Sequence, residues 1–137
     1  MQFMMILKST AHSESGGGLD PRLAAAIGER AEKEKQAGKL LATGALLPSS
    51  AGARVHVANG KVSVTDGPFS ETKELVGGFA IFELSSREEA IEGAKGLMQL
   101  YADVLGASYQ GQIEVRPLMA PAYVGEHCVE ADASAQK

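Results

Sequence analysis

The chain has 137 residues, 45% of them hydrophobic and 22% charged, which suits one globular domain able to bury roughly two thirds of its unfolded surface. Thirteen Lys and Arg against seventeen acids give a net charge of −4, which argues against a dedicated nucleic-acid surface, and no apolar run approaches the ~18 residues of a membrane span. The single cysteine, Cys128, has no internal disulfide partner and suits a reducing cytoplasm, the location we expect; in "GEHCVEADASAQK" it reads as a solvated tail thiol.

The opening "MQFMMILKST" has no basic region before its apolar run and no cleavage site, so it reads as a strand and not as a leader. Over residues 2–8, Phe3, Met5 and Leu7 face one way and Met4 and Ile6 the other. Both faces are apolar, so this strand is expected to be central and covered on both sides. "HSESGGGLD" reads as a flexible connection. Asp20 and Pro21 then supply an N-cap and a first-turn proline for a helix with an apolar stripe of Leu23, Ala24, Ile27 and Ala31. Gly38 stops it, with Lys33, Lys35 and Lys39 near the negative end of its dipole.

"LLATGALL" is a second strand, weakened by Gly44 and stopped by Pro48. "ARVHVANGKVSVTD" is a hairpin closed by Asn59-Gly60, a preferred two-residue type I′ loop. That loop pairs Ala58 with Lys61 and sets the register: Val57 faces Val62 and Val55 faces Val64. His56 then meets Ser63, and Arg54 meets Thr65, on the other face. After a turn at Asp66, "GGFAIFEL" is again apolar on both faces and marks a second central strand. Ser86 and Glu89 form a capping box for a helix carrying Ala90, Ile91, Ala94, Leu97, Met98 and Tyr101 on one face, ended by Gly106. "GQIEVRPLM" alternates as a half-exposed edge strand should.

The order β-α-β-(hairpin)-β-α-β, with both-face-apolar strands first and third, predicts an α+β, ferredoxin-like βαββαβ domain over residues 1–118 with an inserted hairpin. Residues 119–137 are left as a C-terminal tail. Two helices on one side of the sheet leave the other side apolar and open. A second copy of the chain is the simplest cover, giving a homodimeric α+β barrel; a monomer covered by its own hairpin and tail is the alternative.

"ARVHVANGKVSVTDGPFSETKELVGGFAIFEL", the following Ser-Arg-Glu-Glu-Ala-Ile helix and "IEVRPL" together resemble the YCII-related proteins of the DGPF type. The resemblance covers residues 1–118 and is most specific at "TDGPFSETKE". It implies a ferredoxin-like dimeric α+β barrel, a bacterial source and, as in some relatives, an association with extracytoplasmic-function sigma factors. Many such relatives carry His or Gln ahead of the Pro-Ser after the second strand, whereas this chain has Leu47-Pro48-Ser49, and Ala80 stands where an aromatic is often found.

Asp66 is the leading candidate for chemistry. At the exit of the hairpin its carboxylate can cap the turn by accepting backbone N–H groups, or face a pocket as a general base. Arg54 and His56 share a hairpin face and can hold an anion, or stand as solvated side chains. Glu71 and Lys73 would share a side if their segment is extended, as a zwitterion site or a solvated ion pair. His12 lies in the loop after the first strand, where a pocket can form. The three histidines lack ligand-like spacing, so no metal or other cofactor is expected. No Ser-His-Asp or Cys-His set is present, which argues against covalent hydrolysis. The expectation is a small polar metabolite bound or transformed near Asp66; the alternative is a non-catalytic regulatory module tied to a sigma-factor system, with neither nucleic acid nor membrane as partner.

Overall fold

The computed structural model describes residues 1–119. Cys128 and nearly all of the tail lie outside the described residues. Strand β1 (Gln2–Lys8) runs into a short helix α1 (Ala11–Glu14), then α2 (Pro21–Gln36) and β2 (Leu40–Ala45). The hairpin strands β3 (Ala53–Ala58) and β4 (Lys61–Asp66) follow, then β5 (Val76–Glu83), α3 (Arg87–Leu105) and the edge strand β6 (Ile113–Pro117). Four strands form one antiparallel sheet in the order β2-β5-β1-β6, while β3 and β4 form a separate two-stranded sheet. With the hairpin set aside, this is the strand order of a ferredoxin-like βαββαβ unit, central strands first and third.

Most element ends follow from local chemistry. Asp20 caps α2 by accepting from Arg22 N at 2.8 Å, ahead of Pro21. Beyond the other end, Gly38 takes φ +74°, and Gly38 N to Lys35 O with Lys39 N to Glu34 O complete a Schellman motif. Ser86 accepts from Glu89 N at 3.1 Å and starts α3, but the Glu89 carboxylate reaches back to Ser85, not to Ser86, so the box is only half made. Residues 11–14, read from sequence as part of a flexible connection, are a helical turn. Thr10 Oγ1 accepts from Ser13 N, and Ser13 Oγ accepts from Thr10 N.

The core lies between the sheet and α3. Phe3 and Met5 are buried against Ala90 and Ala94, with Leu84 closing one end and Phe82, Ile113 and Val115 packed around them. Alanines on the buried face of α3 let the helix come down close to the large side chains of β1. Leu23 of α2 is wholly buried, while Ala24, which sequence placed in the same stripe, is exposed.

The opposite face of the sheet has a different character. Register pairs Met4 with Ile81 and Ile6 with Phe79, so four large apolar side chains of the central strands point away from the helices. The Phe79 ring lies over Gly44: a Cβ there would stand 2.9 Å from Phe79 Cε1, which accounts for a glycine inside β2. The hairpin of the same chain does not bury its own apolar face: Val55, Val57, Val62 and Val64 are 69%, 73%, 70% and 63% exposed. Among the described residues no helix is long and apolar enough to cross a membrane.

The hairpin register is the one read from sequence, Val55 to Val64, His56 to Ser63 and Val57 to Val62, and its turn places Asn59 at φ 52° and Gly60 at φ 75°. Every residue of both hairpin strands is exposed, so its stability is local. Gly60→Val should therefore cost about 1–3 kcal/mol within the hairpin, since a β-branched residue there must hold a positive φ. Hydrogen exchange checks this: protection should fall along β3 and β4 and stay unchanged in β1 and β5.

Candidate functional site

At one end of the sheet β1 and β2 finish and β5 begins, because both are antiparallel to β5. Three connections far apart in sequence meet there: α1, the turn after Pro48, and the Gly67-Pro68-Phe69 loop, whose Gly67-Pro68 bond is cis. Ser49 is their hub. Its N–H donates to both carboxylate oxygens of Glu14 at 3.0 Å, its hydroxyl donates to Glu14 Oε1, and the same hydroxyl accepts from Phe69 N at 3.0 Å. Gly67 N donates to Gly52 O at 2.9 Å. A Cβ at Gly67 would run into the carbonyl oxygen of Ser49, so the loop passes too close for any other residue.

The six candidate residues fall into separate places around this junction. Asp66 pairs with Ala53 and alternates with Val64 and Val62, so it extends the valine face of the hairpin. Its exposed carboxylate makes no hydrogen bond or ion pair among the described residues, so it is not the cap of the turn. Arg54 and His56 stand on the other face, opposite Thr65 and Ser63. Arg54 therefore does not accompany Asp66. Its guanidinium lies 3.8 Å from the centre of the Phe69 ring, a cation–π contact that draws the loop over the polar side of the hairpin. Phe69 packs on the hairpin in this way.

Glu71 is the third member of that group. Its carboxyl is held below its ordinary range, first by the Ser70 hydroxyl, next by its own backbone N–H, and more weakly by the Arg54 charge, against a small desolvation effect. Residues 72–74 form a 3-10 turn, so Glu71 and Lys73 are not neighbours on an extended strand, and no ion pair joins them. His12 lies on α1 with its ring packed against Gly17. Its Nε2 stands 3.1 Å from Gly18 O, an acceptor, so Nε2 carries the proton and faces the glycine loop. Arg54 thus touches Phe69 and its charge reaches Glu71, while no hydrogen bond or ion pair joins Asp66, His56, Lys73 and His12 to one another.

Glu14 and Ser49 escaped the sequence reading as a pair. They are 35 positions apart, and neither sits in a pattern that names the other. Among the described residues no group of His, Cys, Asp and Glu is placed to hold a metal ion.

An α+β domain with this strand order, both long helices on one side and a hairpin inserted before the third main strand defines a ferredoxin-like class. Residues 1–109 match the YCII-related domain, and the chain belongs to that family. An uncharacterised protein of Rhizobium meliloti (strain 1021) is 37% identical over 86 residues, 63% of this chain and 64% of its own length. The match therefore spans less than two thirds of that relative.

Two outcomes test the geometry. Ser49→Ala removes one donor to a carboxylate and leaves Phe69 N without its acceptor; a loss of about 1–3 kcal/mol in urea unfolding is expected, with faster exchange at the Phe69 amide. For Glu71, a depressed carboxyl pKa means that its contribution to folding is present above the unfolded value and fades as pH falls through the folded one. In carbon-detected titrations Ser70→Ala should raise the Glu71 midpoint more than Arg54→Gln does.

Proposed function

We propose that this protein is a homodimer that binds a small polar metabolite at the Asp66 end of the hairpin, in a cleft completed by the second copy. The observation that carries the reading is the exposed, unpartnered Asp66 carboxylate at the end of a row of exposed valines. An isolated two-stranded hairpin is marginal in water, and four β-branched side chains on one face add an apolar patch that favours association. The half-buried Met4, Ile6, Phe79 and Ile81, on the sheet face turned away from the helices, supply a second apolar surface. Covering both with a second copy would leave Asp66 at the margin of the buried area, where a carboxylate accepts hydrogen bonds from ammonium or hydroxyl groups of a ligand. In that position it can also take a proton from one.

A second reading is a binding or regulatory module without catalysis, with a sigma-factor system as its protein partner. Leu47, 79% exposed beside the Ser49 hub, favours it, since it puts an apolar side chain where the family resemblance leads one to expect His or Gln. Ser49 itself is fully engaged by Glu14 and Phe69 and offers no free hydroxyl for nucleophilic attack.

Sedimentation equilibrium at micromolar concentration should give twice the 14.3 kDa chain mass for wild type and the single chain mass for Val57→Lys. A compact wild-type monomer would remove the dimer. For the site, Asp66→Asn keeps the shape and loses the charge. Thermal-shift screening against metabolite pools should find a ligand that stabilises wild type and not Asp66→Asn, with the unliganded melting temperatures equal. A ligand that protects both equally would sink the assignment to Asp66. Co-purification of a sigma factor with both proteins, and no metabolite shift, would favour the second reading.

A further inference from the structure

A cavity of about 300 Å³ opens beneath α2 and α3, lined by Arg30 and Lys39 beside Met5, Phe82 and Leu84, and neither Asp66 nor the Arg54 group takes part in it. It lies where β5 ends and β2 begins, the opposite end of the sheet from Ser49. Its size is at the lower bound of small-molecule pockets, roughly 300–1,000 Å³.

Arg30 is the informative residue. It is half-buried, and Nη2 donates to Gly93 O at 3.0 Å. No carboxylate pairs with it, and its remaining N–H groups have no acceptor among the described residues. Its place is made by α3. A Cβ at Gly96 would stand 2.7 Å from Arg30 Nη2 and 3.1 Å from Nη1, and one at Gly93 would stand 3.4 Å from Met5 Cε. Two glycines inside one helix each weaken it by roughly 0.5–1 kcal/mol relative to alanine. Here Gly96 leaves room for a guanidinium laid across the helix.

The other charges at the rim are accounted for in part. Glu92 pairs with Lys95 at 3.1 Å, and the Glu89 carboxylate is turned onto the Ser85 N–H and hydroxyl. Glu34 and Lys39 have no ion-pair partner among the described residues. Arg30, with its free donors, and Lys39 thus line the cavity beside its apolar floor, together with Glu34, Glu89 and Glu92, of which Glu92 alone has a cationic partner among the described residues.

We propose that this cavity binds a small carboxylate with a compact apolar body. The carboxylate accepts hydrogen bonds from Arg30 with Lys39 beside it, and the apolar body lies on Met5, Phe82, Leu84 and Leu97. The shared chemistry covers a free acid and an α-amino acid, whose ammonium would meet Glu34.

Methyl-resolved NMR of the full chain, titrated with phenylacetate, phenylacetamide and phenylalanine, tests the assignment. Phenylacetate should shift the Met5 and Leu97 methyls saturably and bind at least about tenfold more tightly than the isosteric amide, the difference one charge-assisted hydrogen bond supplies. Phenylalanine binding more tightly than phenylacetate assigns the site to amino acids, and weaker binding assigns it to free acids. Arg30→Gln should abolish the preference for acid over amide. If that variant does not fold, the acid and amide comparison on wild type decides alone. Equal binding of acid and amide, or no saturable shift at these methyls, would overturn the proposal and leave Gly93 and Gly96 as helix-packing residues.

Discussion

The central strands are apolar on both faces while the helices cover only one, and the rest of the molecule is arranged around that imbalance. Phe3 and Met5 turn inward to Ala90 and Ala94, which gives the domain its core. Met4, Ile6, Phe79 and Ile81, from the same two strands, turn outward. Period-two alternation makes the two sets inseparable: a strand cannot present Phe3 to the helices without presenting Met4 to the other side. The hairpin repeats the problem on a smaller scale, since the register that joins Val55 to Val64 also gathers four valines on a single exposed face.

The polar junction at the end of the sheet has a different physical basis. Hydrogen bonds join its connections, and a single serine serves three of them. A carboxylate accepting from a backbone N–H and a hydroxyl forms stronger bonds than neutral partners would, and the hydroxyl's second role, as acceptor for Phe69 N, sets the path of the loop. Cation–π contact from Arg54 holds the same phenylalanine from the hairpin side. Phe69 therefore couples the hairpin to the end of β1 through Ser49 and Glu14, although none of these residues adjoins another in sequence.

That difference explains what was legible beforehand. Strands, caps and the hairpin register follow from rules that act over a few residues: Asp20-Pro21, Asn59-Gly60 and the alternation of β1 each specify their own geometry. The strand order follows from which strands are apolar on both faces, since those two are the central pair. The Ser49 hub was hidden because its partners are 20 and 35 positions away. The helical turn at residues 11–14 was hidden because a capping box of Thr10 and Ser13 lacks the usual Glu or Gln, and the glycines after it dominated the reading. Arg54 and Asp66, both candidates for the site, do not share a face of the hairpin. The register set by Asn59-Gly60 puts them on opposite faces, Arg54 with Thr65 and Asp66 with Ala53.

The separation of Asp66 from Arg54 constrains the chemistry that the proposed site can support. A lone carboxylate without a nearby cation binds by accepting hydrogen bonds, and it needs partners from elsewhere to act on a substrate. Within one chain the Arg54 group is turned to the other side of the hairpin, so in the proposed dimer such partners would come from the second copy facing the valines. Ligand binding and association are then linked by mass action: a ligand held by groups from both copies stabilises the dimer by the same free energy that the dimer adds to its binding. Apparent affinity would rise with protein concentration up to the point at which all chains are paired. A site built wholly within one chain, such as the cavity at Arg30, has no reason to show that dependence, so the two sites differ in how dilution affects them as well as in their chemistry.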